Sequence, residues 1–452
     1  MEFRKKSIDA KRLLSSYLSC MSSIVWFRQD LRLEDHYALM TAVSRGEPLL
    51  LVYVFEETRH WGVGRAAKWW LEASLKEFKA SIEKKGGHLT VLRGKSAEAI
   101  ENLIVKHKVT HLYYGNCYEP EERKIEKEVG TVCKRHGVLV ESFHHNLLYN
   151  PETLLTKEGK PFQVYTPFWN ASQKFSPPEF PLPSPKSLSS SIKETSLSIS
   201  ALELHQSWDL HEIPQIWEPG ADGAQKRLHA FGRHDQIPLY AHARDFPAIQ
   251  GTSKLSPHLH LGEISPRTVW HATTGSVVYH KELLWREFAK HLLYHFPHTT
   301  DHSLKPAFEN FPWQKNNHLL KAWQKGETGY PIVDAGMREL WHTGWMHNRV
   351  RMIVASFLIK DLRIHWLEGA KWFWDCLVDA DLASNTLGWQ WSAGCGADAA
   401  PFFRIFHPDL QQAKFDPTQA YTNLWVPHPS PRIVDHKEAR IEALKAYHSL
   451  RE

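Results

Sequence analysis

Five short runs of β-branched, aromatic and leucine residues punctuate the first 150 positions: Ile24–Phe27, Leu49–Phe55, Leu89–Leu92, His111–Tyr114 and Val138–Phe143. Between them lie charged stretches of helical period, Arg65–Lys85, Ala97–His107 and Glu119–His136. Strands that are apolar on both faces and alternate with helices predict a parallel sheet covered on both sides. Residues 23–150 therefore read as a doubly wound α/β domain. From about residue 222 the pattern changes: Lys281–Phe296, Pro331–His342, Trp345–Ile359 and Ala370–Leu377 keep a helical period, and strand signals nearly vanish. This predicts an all-helical domain over 222–452, closing on a Pro-rich segment (Val426–Arg432) and a short charged helix.

Residues 151–221 read as a connector. Its stretch 176–200 holds five prolines and nine serines, a composition that predicts a linker without a core of its own. Residues 1–22 read as an extension ahead of the first strand, with five basic and two acidic side chains in positions 1–20. Of the formal charge of +5, +3 thus belongs to the extension, so net charge does not announce a nucleic-acid binder. No apolar run reaches the ~18 residues that a membrane span needs. Five cysteines without a C-x-x-C pair fit a reducing cytoplasm, and 29 histidines without H-E-x-x-H spacing give no metal motif.

Two stretches match the G-x-G-x-x-A dinucleotide fingerprint, at Gly62 and at Gly394, but neither lies directly between a strand and a helix, as the fingerprint requires. The unusual number is 19 tryptophans, eleven of them between Trp270 and Trp391. Aliphatic side chains fill cores without needing a partner for an indole N–H, so this density points to stacking or electron transfer. Glu282, Trp285 and Arg286 share one helical face by spacing, as do Asn348, Arg351 and Met352. Asp379, Asp381, Asn385, Trp389 and Trp391 cluster in a third segment. An acid, a guanidinium and an amide beside indoles suit a heteroaromatic ring with many edge donors and acceptors. An ion pair over a core tryptophan suits the same residues, and spacing does not choose between them. Thr252, Ser253 and Ser256 near a proline break offer hydroxyls and backbone N–H groups to phosphate.

Five long motifs, WFRQDLRLEDHYAL, GTSKLSPHLHLGEISPR, LLWREFAKHL, GYPIVDAGMRELWHTGWMHNRVRM and DADLASNTLGWQWSAGCGADAAPFFRIF, resemble the photolyase/cryptochrome flavoproteins. The likeness runs from about Ile24 to about Asp416 and is nearest to bacterial enzymes that repair cyclobutane pyrimidine dimers. It implies a helical domain holding FAD, reduced in the active form. Carried over by motif, Tyr240, Thr252, Ser253, Lys254, Leu255, Ser256, Arg286, Asn348, Arg351, Asp379, Ala380, Asp381 and Asn385 would hold that cofactor. Lys254 keeps the charge of an arginine found in related repair enzymes, without its bidentate geometry. Glu282 would bond the pyrimidine edge, Trp285 and Trp391 would wall the two bases, and Met352 would pack beneath them. Trp389, Trp366 and Trp313 match the family's electron-transfer chain, with Trp323 or Trp345 as substitutes.

Asn at 385 favours repair over a cryptochrome-type photoreceptor, the alternative reading. The absence of histidine at 348 and 352 favours the cyclobutane lesion over the 6-4 photoproduct. Arg244, Lys290, Arg349, Arg404 and Gln411 are the expected DNA contacts. The α/β half resembles the antenna-binding half of the family. The carboxyl ends of the strands near GNCYEPEERK are the expected place for a second chromophore, and the residues leave methenyltetrahydrofolate, a deazaflavin and an empty crevice as the alternatives. The resemblance implies a cytoplasmic monomer that acts on damaged DNA and needs no protein partner, membrane or metal.

Overall fold

The computed structural model describes residues 21–57, 60–204, 212–232, 236–399 and 404–450. The extension expected over residues 1–22 lies almost wholly outside them. Strands β1 (Ser22–Phe27), β2 (Leu49–Phe55), β3 (Leu89–Arg93), β4 (Val109–Gly115) and β5 (Leu139–Phe143) form one sheet in the order β3-β2-β1-β4-β5. Every pairing is parallel. The two-residue period of a strand divides its side chains between two cores. Val25 and Phe27 join the core under α1 (Tyr37–Ser44) and α2 (Arg65–Lys84). Ile24 and Trp26 join the core under α3 (Ser96–His107) and α4 (Pro120–His136).

β5 departs from expectation. It is the outer strand and is exposed along most of its length, with Leu139 63% accessible, so it is not apolar and buried on both faces. The Pro/Ser-rich stretch also differs from a free linker. Leu188 is fully buried in the α1/α2 core. Leu49 N–H donates to Ser190 O, Ile192 N–H to Leu49 O and Leu197 N–H to Val91 O. A few apolar anchors and backbone bonds thus hold a segment whose average composition is unpromising, and it lies along the β2/β3 side of the sheet.

The remaining chain is helical among the described residues. Elements that frame the site are α5 (Tyr165–Ser172), α6 (Val277–His295), α7 (Pro331–Thr343), α8 (Asn348–Ser356), α9 (Trp366–Cys376) and α10 (Leu382–Ala393). α6 starts four residues before the expected Lys281 because the Ser276 hydroxyl accepts from Tyr279 N–H. α8 starts three residues after the expected Trp345, where the His347 ring Nδ1 accepts from Arg349 N–H at 3.2 Å. The α/β half docks on the turn that follows the Ser256–His260 helix. Gly262 there has φ +66°, and a Cβ on it would lie 2.1 Å from Gln29 O, so only glycine permits this approach. Arg32, itself buried, donates to Gly262 O at 2.9 Å and to Asn146 Oδ1 at 2.7 Å.

Candidate active site

A cavity of about 160 Å³ opens between α8, α9, α10 and the segment Leu377–Asp381. Its wall brings together eight residues singled out by sequence: Asn348, Arg351, Met352, Asp379, Ala380, Asp381, Asn385 and Trp389. The i, i+3, i+4 spacing on α8 turns Asn348, Arg351 and Met352 to this one side. Arg351 Nη2 donates to both Asp379 oxygens, at 2.9 and 3.1 Å, and the Ser256 hydroxyl donates to Asp379 Oδ2 at 2.6 Å. Asp381 caps α10, accepting from Ser384 N–H at 2.8 Å. Asn385 donates one of its two side-chain N–H bonds to Ala370 O at 3.0 Å, and an amide carries a second N–H and an acceptor oxygen besides.

Beside the cavity lies the hydroxyl-rich loop. The Ser253 hydroxyl pairs with Tyr279 OH at 2.8 Å, and Tyr240 packs against Tyr279 and Phe231. Thr252 is half-buried, and Leu255 is buried at the head of the Ser256–His260 helix. Lys254 sits at φ +52° with its ammonium 4.8 Å from the Trp345 ring, and burial lowers its pKa. Arg286 is engaged differently: its guanidinium donates to the carbonyls of Asn146 (2.9 Å) and Leu259 (3.2 Å), and it is not part of the cavity wall.

Arg244 pairs with Glu282 at 2.5 Å and Arg349 with Asp245 at 2.7 Å. Arg349 also approaches Met352 Sδ at 3.8 Å, which ties the Arg349–Asp245 pair to the cavity wall. Trp285 is half-buried and stacks on Tyr165, with ring centroids 3.8 Å apart and planes 7° from parallel. Trp391 is half-buried two residues beyond Trp389, about 200° around the helix from it, and is not part of the cavity wall.

Residues 23–186 match the family described as DNA photolyase, and residues 279–431 match the FAD binding domain of DNA photolyase. A deoxyribodipyrimidine photo-lyase of Agrobacterium fabrum is 42% identical over 94% of this chain and 97% of its own length. The Escherichia coli protein of that name is 37% identical over 95% and 98%. Cryptochrome-1 of Arabidopsis thaliana is 34% identical over 90% of this chain and 62% of its own. A solved class III photolyase from Agrobacterium tumefaciens superposes with a TM-score of 0.91 at 42% identity, over 95% of this chain and 98% of that one. The chain belongs to the photolyase/cryptochrome family. An archaeal photolyase from Sulfolobus tokodaii, described with two FAD molecules that imply a novel light-harvesting cofactor, superposes with a TM-score of 0.85 at 29% identity, over 95% of this chain and 100% of that one.

One expected DNA contact of this photolyase-family chain is corrected by the structure. Lys290 is 2% exposed and lies between Glu119 of the α/β half and Asp381, 2.7 Å from the latter. Burial alone would push Asp381 and Glu119 up, but the ammonium holds both carboxyls low, Asp381 well below the usual carboxylate range. Burial opposes the Lys290 charge, and its two acids override that and raise its pKa. Sequence spacing gave no sign that a lysine on α6 would face the other domain. Arg404 is exposed and Gln411 half-exposed, as a surface strip requires, while Arg244 and Arg349 reach the surface already paired.

The tryptophans of the photolyase-type chain are partly linked. Trp389 is buried and touches Phe373 (5.0 Å) and Trp323 (6.1 Å). Trp366 is buried and stacks on His365 (5.6 Å), which meets Trp313 (4.9 Å). Among the described residues no ring contact joins Trp389 to Trp366 directly, and Trp345 lies instead beside Lys254 and Arg351. A second cavity, of about 190 Å³, lies at the carboxyl ends of the strands. Arg28, Tyr53 and Glu119–Glu122 line it from one side, and His260, Asp301 and Trp374 from the other. Ala380 belongs to the walls of both cavities.

Asp30, His36 and His145 form a fully buried triad of metal-ligating types. The His36 ring Nδ1 accepts from Leu39 N–H at 3.1 Å, so a neutral ring carries its proton on Nε2, facing Asp30 at 3.2 Å. That ring offers no lone pair to a cation, and the triad reads as a hydrogen-bonded knot under β1.

Proposed function

We propose that this chain uses blue light to reverse cyclobutane pyrimidine dimers in DNA. The observation that carries the reading is the cavity wall: Asn348, Arg351, Asp379 and Asn385 place donors and acceptors around a slot bordered by Trp389. These residues fit a flavin. Asn385 lines the slot with one N–H held by Ala370, and its amide offers the ring a further donor and an acceptor; Arg351 and Asp379, already paired, offer a charge-neutral donor and acceptor set. Ser253, Lys254 and Ser256 are the groups that would hold the phosphates. When bound, the flavin supplies the photoexcited electron that opens the cyclobutane ring and takes it back afterwards.

The chain's own residues then bind and orient. A dimer pairs and stacks poorly within the duplex, so turning it out is inexpensive. Trp285 offers it a stacking surface, Glu282 an acceptor for a base edge, Met352 a floor, and Trp391 a further apolar side. Arg404, Gln411, Arg349 and Arg244 meet the phosphates, so binding weakens as salt rises. Trp389, on the cavity wall, is the residue that would deliver electrons inward, with Trp366 and Trp313 outward of it. The crevice at the strand ends is the place for an antenna chromophore, folate or deazaflavin in class, and an absorption band beyond that of flavin in the purified protein reads its presence.

The test is repair of ultraviolet-irradiated DNA in the light and in the dark. Light-dependent loss of dimers supports the reading, and dimers that persist under the lamp favour the photoreceptor alternative. Trp285→Ala adds a second test, since stacking is worth ~1–3 kcal/mol per base. It should weaken binding to dimer-containing DNA far more than to intact DNA.

A further inference from the structure

An indole has two faces, and a base can stack only on one that is open. In this molecule one face of Trp285 is taken. Tyr165 lies on it at a centroid distance of 3.8 Å with the planes 7° apart, while Phe288 meets the indole edge-on at 5.8 Å. Tyr165 is nearly buried, so it is a fixed floor and not a mobile cover. Its hydroxyl donates to Lys281 O at 2.6 Å. In a helix the carbonyl of Lys281 is also the acceptor for the backbone N–H of Trp285. One side chain therefore grips both the ring of Trp285 and the turn of α6 that carries Glu282. Tyr165 is fixed in its turn, because its N–H donates to Asp398 Oδ1 at 3.1 Å and Asp398 N–H donates to Gln163 O at 3.0 Å.

We propose that Tyr165 is a positioning residue for lesion recognition: it occupies the inner face of Trp285 and so presents the outer face, in one orientation beside Glu282, to a flipped-out pyrimidine dimer. The inference rests on the repair reading above and deepens it. Among the described residues Tyr165 has no hydrogen bond or ring contact with the cavity wall or the expected cofactor residues, so its effect falls on discrimination between damaged and intact DNA. Without the stack the indole gains rotational freedom, and the lesion has to order it on binding.

The test measures affinities of the flavin-loaded protein for one oligonucleotide duplex with and without a single thymine dimer. Tyr165→Leu keeps most of the volume and loses the stack. Its preference for the damaged duplex should fall about tenfold, which corresponds to ~1.4 kcal/mol, with affinity for the intact duplex, flavin content and the rate of flavin photoreduction unchanged. Tyr165→Phe keeps the stack and should restore the preference to within twofold. An unchanged preference in Tyr165→Leu, or an equal loss on both duplexes, overturns the proposal. Should Tyr165→Leu lose its flavin, a tenfold fall in Tyr165→Phe overturns the stack as the cause, and retention there supports it. Failure of the underlying reading looks different: the unaltered protein would then show no preference for the dimer, or Trp285→Ala would leave it intact.

Discussion

Arg244 holds Glu282 in an ion pair at 2.5 Å, partly open to solvent. The acid expected to meet a pyrimidine edge thus carries a partner before any lesion arrives, and a lesion has to share or displace that guanidinium. A hydrogen bond to a charged group contributes ~1.5–3 kcal/mol. Glu282→Gln should lower repair per absorbed photon by about tenfold or more on this scale. Flavin content should hold, because Glu282 is outside the cavity wall. Repair yield of the chemically reduced protein is the measurement, and an unchanged yield removes Glu282 from the lesion pocket.

Trp389 stands on the cavity wall with Trp323 and Phe373 against it. Trp389→Phe should slow photoreduction of the oxidised flavin and leave repair by chemically reduced protein largely intact. Transient absorption against steady-state repair separates the two. Loss of both assigns this indole a packing role, for which its contact with Gly369 gives a ready cause.

The Glu119–Lys290–Asp381 bridge is almost free of solvent. Removing one member of a buried charged group typically costs ~3–5 kcal/mol. Lys290→Met should lower stability to urea by that order, while the folded fraction keeps its affinity for DNA. Arg404→Ala should do the reverse, weakening both damaged and intact DNA and reducing the salt slope by about one. A Lys290→Met protein of full stability with impaired DNA binding would reinstate the surface role that its burial denies.

Three histidines are kept neutral by burial: His145 and His291 are pushed down to about 3, and His347 to about 4. Unfolded, each titrates near ~6.5, so their stabilisation is full above that pH and is lost as pH falls below it. Glu287 and Glu339 act in the opposite sense. Burial pushes both up to about 7, so they stabilise the fold at low pH and lose this as pH rises from ~4.5 through 7. Burial lowers His111, His144, His280 and His365 in the same sense as these three, so the imidazoles outweigh the two acids and the urea midpoint should fall between about pH 6.5 and about pH 5. A midpoint that rises on acidification contradicts the neutral state of these imidazoles.

Much of the architecture was legible in the chain. Four of five strands announced themselves as buried apolar runs, and helical spacing alone placed Asn348, Arg351 and Met352 on one wall. What periodicity does not carry is which neighbour a side chain meets across the fold. Lys290 has the spacing of a surface charge and became the pin between two domains, because only the folded chain brings Glu119 to it. Tyr165 heads the short helix α5, more than a hundred positions before Trp285, so no local pattern could pair them. Helix starts at Asn348 and Trp366 were missed because histidine rings cap them, a job that sequence rules give to serine, threonine, aspartate and asparagine. The connector misled through its average: one leucine, Leu188, outweighed the serines around it.

Light absorbed in the helical half is expected to split pyrimidine dimers. The direct measurement takes the flavin-loaded, chemically reduced protein with an oligonucleotide holding a single thymine dimer and follows the dimer by chromatography under blue light and in darkness. Restored thymines are expected in the illuminated sample alone. A dimer that survives illumination, with flavin bound and reduced and the DNA in complex, contradicts this expectation.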